Sequence, residues 1–188
     1  MTWLLHQNVV FLALLAGLFT WGCTIVGSAI VFFFKNISRK LLDIMMGFAA
    51  GVMIAASFWS LLDPSLTYAT QNGYGKWSWF PAAAGFLLGG VALRLIDAVV
   101  PHLHLGNDIS KAEEIHPRKK KLSKTALLFL AITIHNFPEG LAVGVTFGAL
   151  AGGNMTFAGL MGAIGLAIGI GLQNVPEGAA LSVPIRAD

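Results

Sequence analysis

The chain has 188 residues, 56% of them hydrophobic and 11% charged, with a mean hydropathy of +0.74. This composition excludes an ordinary water-soluble domain, in which about a quarter of residues carry charge. The sequence pI near 9.2 does not signal a nucleic-acid partner, because most basic residues fall in two short loops beside apolar runs.

Five predominantly apolar runs, at residues 9–34, 41–62, 80–100, 125–150 and 156–185, are each long enough to cross roughly 30 Å of hydrocarbon, which takes about 20 helical residues. The runs are continuous rather than alternating, so helices are expected and barrel strands are not. The first has no basic residue before it, is too long for a secretory signal and lacks a small-X-small cleavage site, so it is expected to stay in the mature chain. Cys23 lies within it, alone in the chain, and reads as a packing residue.

Lys35, Arg39 and Lys40 separate the first two runs. The second contains Asp43, Met53 and the pair Gly47/Gly51; the third contains Gly85/Gly89 and the fifth Gly165/Gly169. Such spacings allow close helix packing in a bilayer. Residues 63–79 contain Lys76 as their one basic residue, with Tyr74, Trp77 and Trp79 expected at a membrane interface. Lys111, Arg118, Lys119, Lys120, Lys121 and Lys124 precede the fourth run. Basic residues therefore occupy alternate loops, which places the N-terminus outside and the basic loops in the cytoplasm. The expected fold is all-α, a polytopic transmembrane helix bundle. Residues 1–100 form spans one to three, residues 101–124 a cytoplasmic His-containing hydrophilic loop, and residues 125–188 spans four and five.

An internal repeat marks the last two spans. His135-Asn136-Phe137-Pro138-Glu139-Gly140 returns as Gln173-Asn174-Val175-Pro176-Glu177-Gly178 on the adjacent antiparallel span. Between Lys124 and Arg186 the only charged residues are Glu139 and Glu177. A carboxylate at mid-helix costs about 2.5–3.5 kcal/mol on insertion scales, so two of them call for a partner. Positions i and i+4 share a helix face, which stacks His135 over Glu139 and Gln173 over Glu177, with Asn136 and Asn174 at the margin. If the two helices face each other, an imidazole, two carboxylates and three amides converge, and the natural counter-charge is a cation. Pro138 and Pro176 deprive the carbonyls of Ile134 and Leu172 of their helical donors. Imidazole and carboxylate without thiolate favour Zn²⁺, Fe²⁺, Mn²⁺ or a similar divalent ion. Such ligands bind metal deprotonated, so affinity is expected to fall with pH.

These paired motifs resemble those of the ZIP family of zinc and iron permeases, most closely its bacterial GufA-like branch. The resemblance implies a transporter, not an enzyme, that moves zinc, iron, manganese or cadmium into the cytoplasm by alternating access. It also implies a binuclear site: His135, Glu139, Gln173 and Glu177 for one metal, and Asn136, Asn174 and the shared glutamates for the other. By the same comparison Asp97, His102 and His104 look like exit-side ligands, Asp43 and Met53 like pathway residues, and His104 and His116 like acceptors of released metal. The implied setting is the inner (plasma) membrane, crossed several times, with the lipid bilayer as partner, a homodimer as an option and no nucleic acid. Family members are eight-span proteins, so this chain is expected to cover the first five. Two rivals are a metal-binding membrane scaffold or sensor without flux, and an intramembrane zinc hydrolase. The second would call for His-Glu-X-X-His or a comparable arrangement, which the sequence lacks.

Overall fold

Residues 2–33, 38–99, 124–151 and 155–187 are described by a computed structural model. Helix α1 spans Val9–Phe33, after a 3₁₀ turn at Thr2–His6. Helix α2, Arg39–Ala56, passes through a π-helical stretch, Ser57–Leu62, into α3, Asp63–Gln71. A 3₁₀ turn at Gly75–Trp77 leads to α4, Phe80–Val99; α5 is Lys124–Gly148 and α6 is Phe157–Ala187. No strand occurs among the described residues, as the continuous apolar runs require.

Four helical stretches, Val9–Ile30, Arg39–Gln71, Gly75–Ile96 and Phe157–Ser182, are long and apolar enough to cross a membrane. Helix α5 adds 25 residues, about 37 Å at 1.5 Å per residue. The chain is a multi-pass membrane protein in which all five expected runs are helical.

The second run extends well beyond its expected end at Leu62. Asp63-Pro64 reads as a stop, because an interior proline lacks a donor and clashes with the carbonyl four residues back. Here the π turn widens the helix just before Pro64, and the Asp63 N–H bonds the carbonyl of Phe58, five residues back. Proline then occupies the first turn of α3, where its missing N–H is tolerated. Residues 63–71 are thus helix rather than loop. At the other end, Ser38 caps α2, its hydroxyl accepting the Leu41 N–H at 3.2 Å.

The core joins three helices. Leu12 and Ala16 of α1, Val143 and Phe147 of α5, and Leu160, Leu166 and Ile170 of α6 are buried together. Helix α6 packs most extensively on α1, next on α2, and only modestly on α5. Helix α4 stands apart, packed mainly on α3, and exposes Phe86, Leu87, Leu88 and Leu95. An apolar surface of that extent suits hydrocarbon rather than water.

The close helix approaches do not occur at the glycine pairs the spacing singled out. A Cβ on Gly47, Gly51, Gly85, Gly89 or Gly165 would meet open space, and one on Gly169 would make ordinary contact with Val52. Four-residue spacing creates a flat face, but packing decides whether another helix uses it. The intimate contacts lie between α1 and α6. A Cβ on Gly27 would overlap the backbone of Val175, and one on Gly178 would overlap the Thr24 carbonyl. Cys23, partly buried and free, lies beside Gly171 at the same seam.

Because a backbone carbonyl cannot step aside as a side chain can, Gly178→Ala should destabilise the bundle by about 1–3 kcal/mol. The thermal midpoint in detergent should fall. Gly162→Ala, on the same helix but facing open space, should leave it unchanged or raise it.

Candidate metal centre

Helices α5 and α6 each carry one copy of the repeated motif, and the fold brings the two copies together. On α5, His135 Nε2 lies 3.5 Å from Glu139 Oε1, one helical turn on. From α6, Glu177 Oε2 approaches the same imidazole nitrogen to 3.3 Å. One ligand atom from each of the three residues lies within 4.8 Å of the others. Zinc bonds of about 2.0–2.2 Å in tetrahedral array place neighbouring ligand atoms roughly 3.3–3.6 Å apart, so both imidazole–carboxylate separations already match a shared metal. The glutamate side chains are 11% and 12% exposed and His135 is 49% exposed. The carboxylates therefore form the floor and the imidazole the rim.

Gln173 completes the floor. It is fully buried, and its side-chain nitrogen reaches across to α5 and donates to Glu139 Oε1 at 2.5 Å. Around this bond three buried oxygens have no hydrogen-bond partner: Glu139 Oε2, Gln173 Oε1 and Asn174 Oδ1. All three are acceptors. Buried acceptors without donors are rare and costly, and a cation is the complement that would satisfy them. A donor set of imidazole, carboxylate and amide oxygen fits a divalent transition ion. Pro138 lies inside α5 and Pro176 inside α6; each lacks the backbone N–H that would bond the carbonyl four residues back, that of Ile134 or Leu172.

The two asparagines of the motifs differ in their surroundings. Asn174 is buried, and its Nδ2 donates to the backbone carbonyl of Thr20 on α1 at 3.2 Å. Asn136, partly buried, lines an open groove along α5 with Phe137, Gly140, Leu141, Gly144 and Val145. Asp43 is exposed in the first turns of α2 and Met53 is partly buried farther along it; Asp43 does not belong to the metal-ligating cluster. Asp97 lies in the last turn of α4, but its side chain is outside the described residues, as are His102, His104 and His116 entirely.

The sequence reading missed the part played by α1. Besides accepting from Asn174, the Thr20 carbonyl accepts from Thr24 Oγ1 at 3.3 Å, and Ser28 Oγ donates to the Gly178 carbonyl at 3.3 Å. Thr20, Thr24, Gly27 and Ser28 recur at three- and four-residue intervals in an otherwise apolar helix. That stripe of polar and small residues is the signal that could have found them.

Among curated proteins, this chain is similar to the human zinc transporter ZIP11, at 38% identity across 77% of this chain and 63% of the relative. It is similar to the Myxococcus xanthus zinc transporter GufA at 38% identity (72% of this chain, 52% of the relative). It is also similar to the Bordetella bronchiseptica zinc transporter ZIPB at 34% identity (72% and 42%). The chain thus spans less than two thirds of the length of these relatives, and each is named as a transporter, not an enzyme. No protein-family profile matches the chain, and no solved structure does.

The geometry predicts that the purified chain binds a divalent transition metal through Glu139 and Glu177. Titration with Co²⁺, followed by its visible absorption, should show saturable binding in the wild type. Binding should be lost in the Glu139→Ala/Glu177→Ala double variant with the helical circular-dichroism signal intact.

Proposed function

This chain is a homologue of the ZIP-family zinc transporters, and from that kinship we propose that it carries a divalent transition metal, zinc foremost, across a membrane into the cytoplasm. The observation that supports the reading best is the convergence of His135, Glu139 and Glu177 beside buried, donorless oxygens. Iron, manganese and cadmium share enough ligand chemistry to be tested alongside zinc. The membrane of residence in this proposal is the inner (plasma) membrane, with the N-terminus outside as the loop charges suggest.

In this reading His135, Glu139, Gln173 and Glu177 hold the first metal. The second site draws on the glutamates with Asn136 and Asn174, and for that the Asn174 amide would exchange its bond to α1 for the ion. Alternating access would move α5 and α6 past the α2–α4 hairpin, with Asp43 and Met53 along the path and Asp97, His102 and His104 at the exit. Assembly as a homodimer belongs to the proposal as well. Metal binding displaces protons from carboxyl and imidazole groups, so acid competes with the cargo.

Uptake of ⁶⁵Zn²⁺ into liposomes should therefore be saturable in the wild type and absent in the Glu139→Ala/Glu177→Ala variant. Lowering the external pH from 7.5 to 5.5 should weaken apparent affinity. Flux unchanged in the double variant would refute the assignment. Stoichiometric binding without flux would favour a scaffold or sensor.

A further inference from the structure

Helix α1 contributes no ligand, yet it touches the second motif at four points. Its Thr20 carbonyl holds the Asn174 amide. Its Ser28 hydroxyl donates to the Gly178 carbonyl. A Cβ on Gly178 would strike the Thr24 carbonyl, and a Cβ on Gly27 would overlap the Val175 backbone. These contacts bracket residues 174–178, the segment from which Glu177 reaches toward His135.

The packing makes this contact decisive for the site. Helix α6 packs far more extensively on α1 than on α5, while α1 also packs on α5. The separation of the two carboxylate-bearing helices is therefore set less by their own contact than by the helix both lean on. We propose that Gly27 is a positioning residue: its backbone contact with Val175, backed by the Ser28 hydroxyl, sets the distance between the motifs and so the size of cation the site prefers. The inference rests on the metal-centre reading of His135, Glu139 and Glu177.

A methyl group at Gly27 cannot be accommodated by a rotamer change, because backbone atoms oppose it. Helix α6 must back away, carrying Glu177 from His135. A widened site holds a small ion poorly and loses less for a larger one with longer bonds. Removing groups that orient metal ligands typically lowers affinity about 10–100-fold, and the same range is expected here for Zn²⁺.

The test is the ratio of Zn²⁺ to Cd²⁺ affinity, measured by competition titration on the full chain in nanodiscs. Gly27→Ala should weaken Zn²⁺ binding about 10–100-fold and Cd²⁺ binding less, shifting the ratio toward Cd²⁺. Gly22→Ala, on the same helix but facing open space, should match the wild type. A merely structural role for Gly27 would lower both affinities together or neither, and an unchanged ratio would overturn the proposal. If Gly27→Ala does not assemble, Ser28→Ala decides: it deletes only a hydroxyl, and it must move the ratio in the same direction or the proposal fails. The metal-centre reading fails separately, through binding that survives in the Glu139→Ala/Glu177→Ala variant.

Discussion

Two carboxylates share one imidazole inside an apolar bundle, and the rest of the architecture answers to that arrangement. Their ligand atoms lie within 4.8 Å of each other, where two unit charges in a protein interior repel by about 3–4 kcal/mol at an effective dielectric constant near 20. The helices that carry them have no lysine or arginine between Lys124 and Arg186. Gln173 offsets part of the repulsion by donating to Glu139. A neutral amide cannot cancel two charges, and its own oxygen remains without a donor. A divalent cation meets both deficits at once, the charge and the unpartnered oxygens.

Holding such a site together requires helices that resist the repulsion from outside it. The seam between α1 and α6 does this at the level of the second motif, where glycine on each side brings backbone against backbone. Small residues matter more in a bilayer than in water, because lipid tails offer apolar side chains no incentive to cluster, and close van der Waals packing has to hold helices together. The buried core of Leu12, Ala16, Phe147, Leu160 and Leu166 extends the seam away from the motif. Helix α4, by contrast, is exposed from Gly85 to Leu95, and it packs mainly on α3, away from the cluster.

The helices were legible in the sequence because hydropathy over 20 residues is a strong signal and needs no tertiary information. Stacking of His135 on Glu139 was equally legible, since it follows from helical spacing alone. What crosses between helices was not. Gln173 shares a face with Glu177 by spacing but bonds Glu139 on the other helix, and Asn174 turns to α1. Both outcomes depend on how far apart the helices stand. Glycine spacing misled for the same reason: Gly47 and Gly51 form a suitable face that no helix among the described residues uses, whereas Gly27 makes the contact without a partner four residues away. The second helix ran on past Asp63-Pro64 because a π turn relieved the constraint that proline normally imposes.

The donor set also bears on whether a metal here would be structural or in transit. Closed structural zinc sites are built largely from thiolate and imidazole, four protein ligands deep. This cluster contains no thiolate, and the chain's one cysteine packs at the α1–α6 seam instead. Its oxygens are harder and weaker ligands for zinc, and its one imidazole stands half exposed at the rim. An ion could therefore meet His135 first, reach the carboxylates and be released again without the bundle coming apart. The transport proposed above would demand binding strong enough to strip water from the ion and weak enough to let it go. Two largely buried carboxylates would supply the first requirement, and an imidazole-rimmed edge with a modest α5–α6 contact the second.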